Sequence, residues 1–350
     1  MSRRHLRALS LAVPVLILSG LTATASAQPG VYVPCNDVAA LDAAIIAANN
    51  NTGPNTIRLA PRCVYTISTP ASTGGLGPNA LPQITGTVTL LGRDTTIRRD
   101  PDASTAFRIA EIDGSGGHLT LEGITATNGG YLDYAGAFMP LSGATLTLRH
   151  SAVTNNIANQ GGAIFVNQSS HLEIFDSVLS DNSSQQGGAI YNGPGSTTRL
   201  SGVRLEENHA AAFGGALFDA GNTLTVDNST ISRNSAFYSG GGIYNDRHPM
   251  QVTSTRIESN HAGLIGGGIY NAGTSTLTDS VVQGNSANTG GGIYQDTLGI
   301  MTLVRSRVVH NTPNNCRPIG TVPHCPDDAA PASPGDDGHS HEPSGAERES

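Results

Sequence analysis

The chain has no tryptophan and no lysine, and all 19 of its basic residues are arginine. The missing lysine excludes any reaction that needs a lysine base or a lysine Schiff base. Charged residues make up only 13% of the 350 positions, and the formal net charge is −8. An acidic chain without basic clusters is a poor partner for nucleic acid, and none is expected. Cysteine is scarce: Cys35, Cys63, Cys316 and Cys325 are the full set of four. None has C-x-x-C spacing and no histidine lies near the first two, so neither a metal site nor a cofactor is indicated. Long runs of helical periodicity are missing between 129 and 311, which excludes helical repeats.

What fills that stretch is one unit written seven times. The copies open on GGAIF (161–165), GGAIY (187–191), GGALF (214–218) and GGGIY (240–244, 266–270 and 290–294), with a degenerate AGAFM (135–139) ahead of them. Each closes on an apolar residue three before an asparagine. These asparagines are Asn156, Asn182, Asn208, Asn234, Asn260, Asn285 and Asn311, spaced 26, 26, 26, 26, 25 and 26 apart. A fixed period of this size marks a repeat architecture. Four apolar columns run through the copies. The first is Phe138, Ile164, Ile190, Leu217, Ile243, Ile269 and Ile293; the last is Val153, Leu179, Leu205, Ile231, Ile257, Val282 and Val308. The two middle columns are two residues apart, which is strand spacing. Short strands, one set per period, predict an all-β, single-domain parallel β-helix of about 26 residues per coil. One coil cannot bury its own apolar side, but stacked coils can, at a rise of roughly 4.8 Å. The asparagines then lie above one another and serve as a structural ladder.

The GGA[IL] starts paired with [VIL]-x-x-N resemble the repeats of polymorphic outer-membrane-protein passenger domains. More broadly, they resemble the right-handed, pectin-lyase-like β-helix superfamily, over residues 118–311. The segment CNDVAALDAAIIAANNNTGPNTIRLAPRCVYTI resembles the N-terminal cap of secreted bacterial β-helix proteins of the CSLREA type. The resemblance implies a right-handed coil and a life outside the cell. It does not imply one activity, because the superfamily holds lyases, hydrolases, epimerases, adhesins and proteins without known activity.

Taken in order, residues 1–27 read as a secretory signal peptide. Arg3, Arg4 and Arg7 supply the positive region, Ala8 to Leu18 the apolar core, and Ala25-Ser26-Ala27 the cleavage site. Ser2-Arg3-Arg4 echoes a twin-arginine signal, although the general secretory route fits better. Loss of this leader removes three arginines and no acid, taking the charge from −8 to −11. No second apolar run follows, so no membrane span is expected in the mature chain. Residues 28–63 form a cap: Asp37 is the N-cap of a helix over 38–48, with Val38, Leu41, Ile45 and Ala48 on one face. Cys35 and Cys63 bracket it, and pairing Cys35–Cys63 and Cys316–Cys325 follows from export, even count and proximity. Residues 64–128 are irregular early coils, with strands expected at 64–67, 88–91, 95–98, 107–112 and 119–124, and a first strand at 56–59 that overlaps the cap. Residues 129–311 are regular coils, 312–325 an exit loop, and 326–350 a disordered acidic tail carrying His339 and His341.

Three constellations would make an enzyme: a cation-holding carboxylate cluster with a base, two converging carboxylates, or a serine or cysteine with histidine and aspartate. Asp219 and Asp246, one coil apart and one column off, are the best carboxylate pair; acids at such positions also simply end strands. His209 and His261 follow ladder asparagines and read as turn surface. Arg98, Arg99, Asp100 and Asp102 read as a solvated turn. Arg204, Arg256 and Arg307, with Glu206 and Glu258, read as a charge-paired outer face. A row of aromatics stands out more. Phe165, Tyr191, Phe218, Tyr244, Tyr270 and Tyr294 follow the buried Ile or Leu, so strand alternation turns them outward. Five of them, Tyr191, Phe218, Tyr244, Tyr270 and Tyr294, form a strip on which an extended glycan could stack. The expected function is a non-enzymatic, secreted or cell-surface, adhesin-like or glycan-binding monomer whose partner is an extracellular polysaccharide or cell-wall glycan. The alternatives are a polysaccharide lyase or glycoside hydrolase with a diverged site, and a purely structural surface protein.

Overall fold

In a computed structural model, residues 30–51, 55–73 and 75–326 are described. The leader and most of the acidic tail, with His339 and His341, lie outside them. The chain winds into a parallel β-solenoid of about 11 turns with about 26 residues per turn. Three sheets run along it. The largest has 19 strands, the second nine, and the third four, and the strand pairs within them are parallel. The register is the sequence period made visible: Ile164 pairs with Ile190, Leu172 with Thr198, and Leu179 with Leu205.

Each regular coil bends at three corners where a residue takes a left-handed conformation. One corner is Asp176, Asn228 or Ser254 between the two strands of the large sheet, with φ between 45° and 48°. The second is the residue before each ladder asparagine, such as Asp181 or Arg233. The third is the first glycine of each GG pair, as at Gly161 with φ 62°. Short polar residues and glycine tolerate that conformation, which is why they saturate the gaps between the apolar columns. The second glycine answers a different need. A Cβ on Gly162 would stand 2.2 Å from the Gly188 carbonyl oxygen, and one on Gly188 would stand 2.0 Å from that of Gly215. Coils approach there too closely for any side chain.

The core is one continuous apolar column from Val33 to Val322. Its N-terminal end is closed by the helix Val38–Asn49, capped by the Asp37 side chain, which accepts from the Ala40 N–H at 2.9 Å. Leu41, Ala44, Ile45 and Ala48 turn inward. The disulfide Cys35–Cys63 brackets this helix, and Cys316–Cys325 closes the opposite end, where Val322 enters the core. The structure differs from expectation at both ends of the solenoid. The strands expected at 88–91 and 95–98 are one strand, Thr87–Arg99, whose pairing shifts between Leu91 and Thr95; Asp94, with φ 53°, makes the corner without breaking the strand. The exit loop also contributes a strand, Cys316–Arg317, that extends the second sheet beside Ile293 and Tyr294.

Three side-chain ladders line the inside. In the first, each asparagine donates to the next: Asn182 Nδ2 to Asn208 Oδ1 at 3.0 Å, Asn208 to Asn234 at 3.0 Å, Asn234 to Asn260 at 2.9 Å. The same oxygens accept the backbone N–H of the preceding coil's asparagine. The ladder ends in the exit loop, where Asn315 Oδ1 accepts from Asn311. A second ladder uses hydroxyls: Ser177 Oγ accepts the Ser151 N–H, Ser229 that of Val203, and Ser280 that of Thr255. The third lies at the end of the second sheet and is described below.

Candidate functional site

The aromatic row lies on the outer face of the second sheet, clear of the solenoid's core column. Its rings stack face to face along the coil axis. Centroids are 5.0 Å apart for Phe165 and Tyr191, 4.9 Å for Tyr191 and Phe218, 4.9 Å for Phe218 and Tyr244, and 4.4 Å for Tyr244 and Tyr270. Interplanar angles over the last three pairs are 6° to 10°. The spacing follows from the coil rise, because in-register parallel strands place identical positions one strand spacing apart. This geometry departs from the expected exposed strip. Stacking consumes the ring faces, so Phe165, Phe218 and Tyr270 are buried, and Tyr191, Tyr244 and Tyr294 are only partly exposed. What reaches solvent is ring edge and hydroxyl.

One of those hydroxyls is tied to a carboxylate. The Tyr270 hydroxyl donates to Asp296 Oδ2 in the next coil. Burial, then the Asp296 bond, holds the Tyr270 phenol above its ordinary range, while the same bond holds the Asp296 carboxyl below its own. Burial also raises the Tyr191 and Tyr244 phenols, with Asp246 adding to both. A phenol so held stays protonated at neutral pH and cannot act as a base.

The row branches at Phe213. Its ring meets Tyr244 at 5.1 Å and Tyr238 at 5.6 Å, and Tyr238 meets Phe237 edge-on at 4.9 Å and 84°. Here ring surface is open: Phe237 is 64% exposed and Tyr238 42%. The branch turns the glycine corner onto the third sheet. That sheet carries a groove of about 400 Å³, lined by Leu132, Ile157, Asn159, Ser183, Gln185 and Ala211 among others. Asn159 and Gln185 occupy equivalent places in successive coils, Ala211 follows in the next, and Phe237 in the one after. Tyr131 and Leu132 close the other end. Arg99 is the groove's one charged lining residue, and it donates to the Ala103 and Thr105 carbonyls of its own loop. Tyr131 is seated on a buried ion pair: its ring lies over the Arg108 guanidinium at 4.8 Å, and Arg108 Nη1 meets Glu111 Oε2 at 2.8 Å. Arg108 also donates to the Leu76 carbonyl, which pins the 69–85 loop to the coil.

The two acids singled out in the sequence do not converge. Positions 219 and 246 are an odd number of columns apart, so alternation sends Asp219 inward and leaves Asp246 partly exposed outside. Asp219 ends the strand Leu217–Asp219, as expected, but points inward and not to the surface. It is wholly buried, within a ladder made by Asn192, Asp219, Asn245, Asn271 and Gln295. Asn192 Nδ2 donates to Asp219 Oδ1 at 2.7 Å, and the Gly221 N–H donates to the same oxygen at 3.1 Å. Burial raises its carboxyl to about 7, against the pull of those two bonds and with help from Asp246. A group sealed in this way cannot touch a substrate.

The histidines face solvent on the third sheet. His209 Nδ1 pairs with Ser235 Oγ and His261 Nδ1 with Ser286 Oγ, each at 2.9 Å. On the large sheet, Arg233 meets Glu206 at 3.0 Å and Glu207 at 2.8 Å, and Arg256 meets Glu258 at 3.8 Å, a charge-paired outer face. Phe213, Phe237 and Tyr238 were not singled out in the sequence, because they fall outside the repeating columns. The aromatic pair Phe237-Tyr238, next to a Gly start, was the available signal.

A family model described as right handed beta helix region matches residues 135–312, just over half of the chain. The protein belongs to that family, and the solenoid is therefore right-handed. No curated protein matches the sequence. Among solved structures it is similar to the Azotobacter vinelandii mannuronan C-5 epimerase AlgE6 A-module, at 13% identity and a TM-score of 0.39. That match covers 82% of this chain and 94% of the other. It is also similar to PfbA, a surface adhesin of Streptococcus pneumoniae, at 12% identity and a TM-score of 0.31, covering 80% and 89%. At these values neither likeness bears on activity.

Proposed function

We propose that this protein is a binding module of the cell exterior, not an enzyme, and that its ligand is a neutral extracellular or cell-wall glycan laid along the third sheet. The observation that carries this is the open ring surface of Phe237 and Tyr238 at one end of an amide-lined groove parallel to the coil axis. Sugar rings stack on exposed aromatic faces, and amides such as Asn159 and Gln185 suit their hydroxyls. Tyr191, Phe218, Tyr244, Tyr270 and Tyr294 then act as a rigid brace that offers edges and hydroxyls, with Phe213 linking brace to platform. The guanidinium of Arg99 is spent on its own loop, which favours an uncharged ligand. Two disulfides suit an oxidising, extracellular setting, and among the described residues no helix is long and apolar enough to cross a membrane.

The test is titration of the chain with neutral oligosaccharides from a glycan panel. Micromolar to millimolar binding is expected, changing little with salt and falling at least about tenfold on replacing Phe237 and Tyr238 with Ala. Release of reducing or unsaturated ends from the panel would favour the lyase or hydrolase alternative. Neither binding nor turnover would leave a structural surface protein.

A further inference from the structure

The ladder at the end of the second sheet has a direction. Asn245 Nδ2 donates to Asn271 Oδ1 at 2.9 Å, and Asn271 Nδ2 donates to Gln295 Oε1 at 3.0 Å. Asn192 donates the same way to Asp219. Its orientation is fixed, because its Oδ1 accepts from the Ser196 and Thr198 hydroxyls at 2.6 Å and 2.7 Å. Every link runs toward the C-terminal end, and each needs a donor on the earlier coil. The link from Asp219 to Asn245 is the one that is missing. Asp219 Oδ2 is buried without a hydrogen-bond partner among the described residues. Asn245 has spent its amide nitrogen on His248, Asn271 and Ser275, and its Oδ1 accepts the His248 N–H at 3.2 Å, so it offers Asp219 no donor.

An ionised carboxylate there would be a sealed charge whose Oδ2 has no donor. A protonated one has an O–H where its neighbours have an N–H. We propose that Asp219 works as a neutral carboxylic acid in place of an amide in this ladder, and that its ionisation loosens the two coils that carry Phe218 and Tyr244. The charged group that acts on it is Asp246, one residue past its ladder neighbour Asn245 and on the outer side of the strand. The preceding coil faces it with the uncharged Asn192, Ser196 and Thr198. Arg247 and His248, whose backbone holds Asn245, are the other titratable residues of that turn. None of these supplies a donor to Oδ2.

The sign follows from linkage. Between the ordinary carboxylate range and about 7, the folded chain keeps a proton that the unfolded chain has lost. Stability is therefore greatest below that window and falls as pH rises through it. Asp42 in the helical cap, raised by burial to about 6, adds a decline of the same sign. It cancels when two variants that share it are compared.

The test is thermal unfolding of wild type and Asp219→Asn at about pH 4.5 and about pH 8.5, which bracket the window. The variant restores a donor and an unbroken amide ladder. The two proteins should melt within about a degree of each other at the lower pH, and the variant should melt about 5 °C or more above wild type at the higher. The chain has no tryptophan, so near-ultraviolet dichroism of tyrosine reports the ring stack; its signal in wild type should weaken as pH rises and hold in the variant. An equal gap at both pH values would overturn the proposal. So would calcium that raises the wild-type melting point at fixed pH but leaves Asp219→Asn unmoved, since a cation would then fill the place of the proton. Infrared difference spectra of wild type against Asp219→Asn, in which Asp42 cancels, give a second reading. A protonated-carboxyl band that disappears near neutral pH supports the proposal, and its absence from the acidic sample rejects it.

Discussion

Two of the internal ladders are built from the same amide chemistry, yet they differ in kind. The ladder from Asn156 to Asn311 is uniform: each rung is the same residue in the same place, giving and receiving the same bonds. The ladder from Asn192 to Gln295 is mixed. Asn192 leans on two hydroxyls, Asp219 on a backbone N–H, Asn245 on a histidine backbone, and Gln295 is longer by a methylene. The uniform ladder sits at a corner where every coil turns alike, so one residue solves the problem seven times. The mixed ladder sits where turns differ in length between coils, so each rung is solved locally. Uniformity spreads a load over many equal bonds; mixture creates individual weak points, and Asp219 is one.

The largest effect should come from breaking the uniform ladder at its middle. Asn208→Ala removes the acceptor for the Asn182 backbone and side chain and the donor to the Leu179 carbonyl, all buried. It should cost about 3 kcal/mol in chemical denaturation, since buried groups are left unpaired. Asn245→Ala, in the mixed ladder, should cost about 2 kcal/mol, because Asn271 Oδ1 keeps its bond from Ser275. Asn156→Ala should cost least, about 1 kcal/mol, as its oxygen serves only the Gly129 N–H. If the order of the first two reversed, the contrast between a load-sharing and a local ladder would collapse.

Legibility in the sequence follows the same divide. The uniform ladder, the apolar columns, the disulfide pairs and the helical cap all repeat or bracket something, and periodicity exposes repeats without any knowledge of contacts. Val166, Asn192, Asp219, Asn245, Asn271 and Gln295 were legible as one column of strand ends, as they are, but not as a buried ladder, because their mixed chemistry does not show which of them bond. The aromatic row was legible as outward-facing. Its stacking was not, because alternation gives the side of a strand and not the tilt of a ring. Phe237 and Tyr238 break the column pattern, so their exposure depended on how the turn at Gly240 was built. The Arg108–Glu111 pair lies under an irregular loop, where no period guides the eye.

The double-glycine corner has a consequence for how such a chain changes length over generations. Its second glycine is pressed against the corresponding glycine of the next coil, so each coil is shaped to accept a copy of itself. A stretch of one whole period can be duplicated or lost in the gene, and the contacts at the new junction are those already in use. A fraction of a period cannot, unless a turn absorbs it, as the 25-residue interval between Asn260 and Asn285 does. Solenoid length is thereby heritable in steps of one coil, and a lineage can lengthen or shorten its outer faces without inventing a new interface.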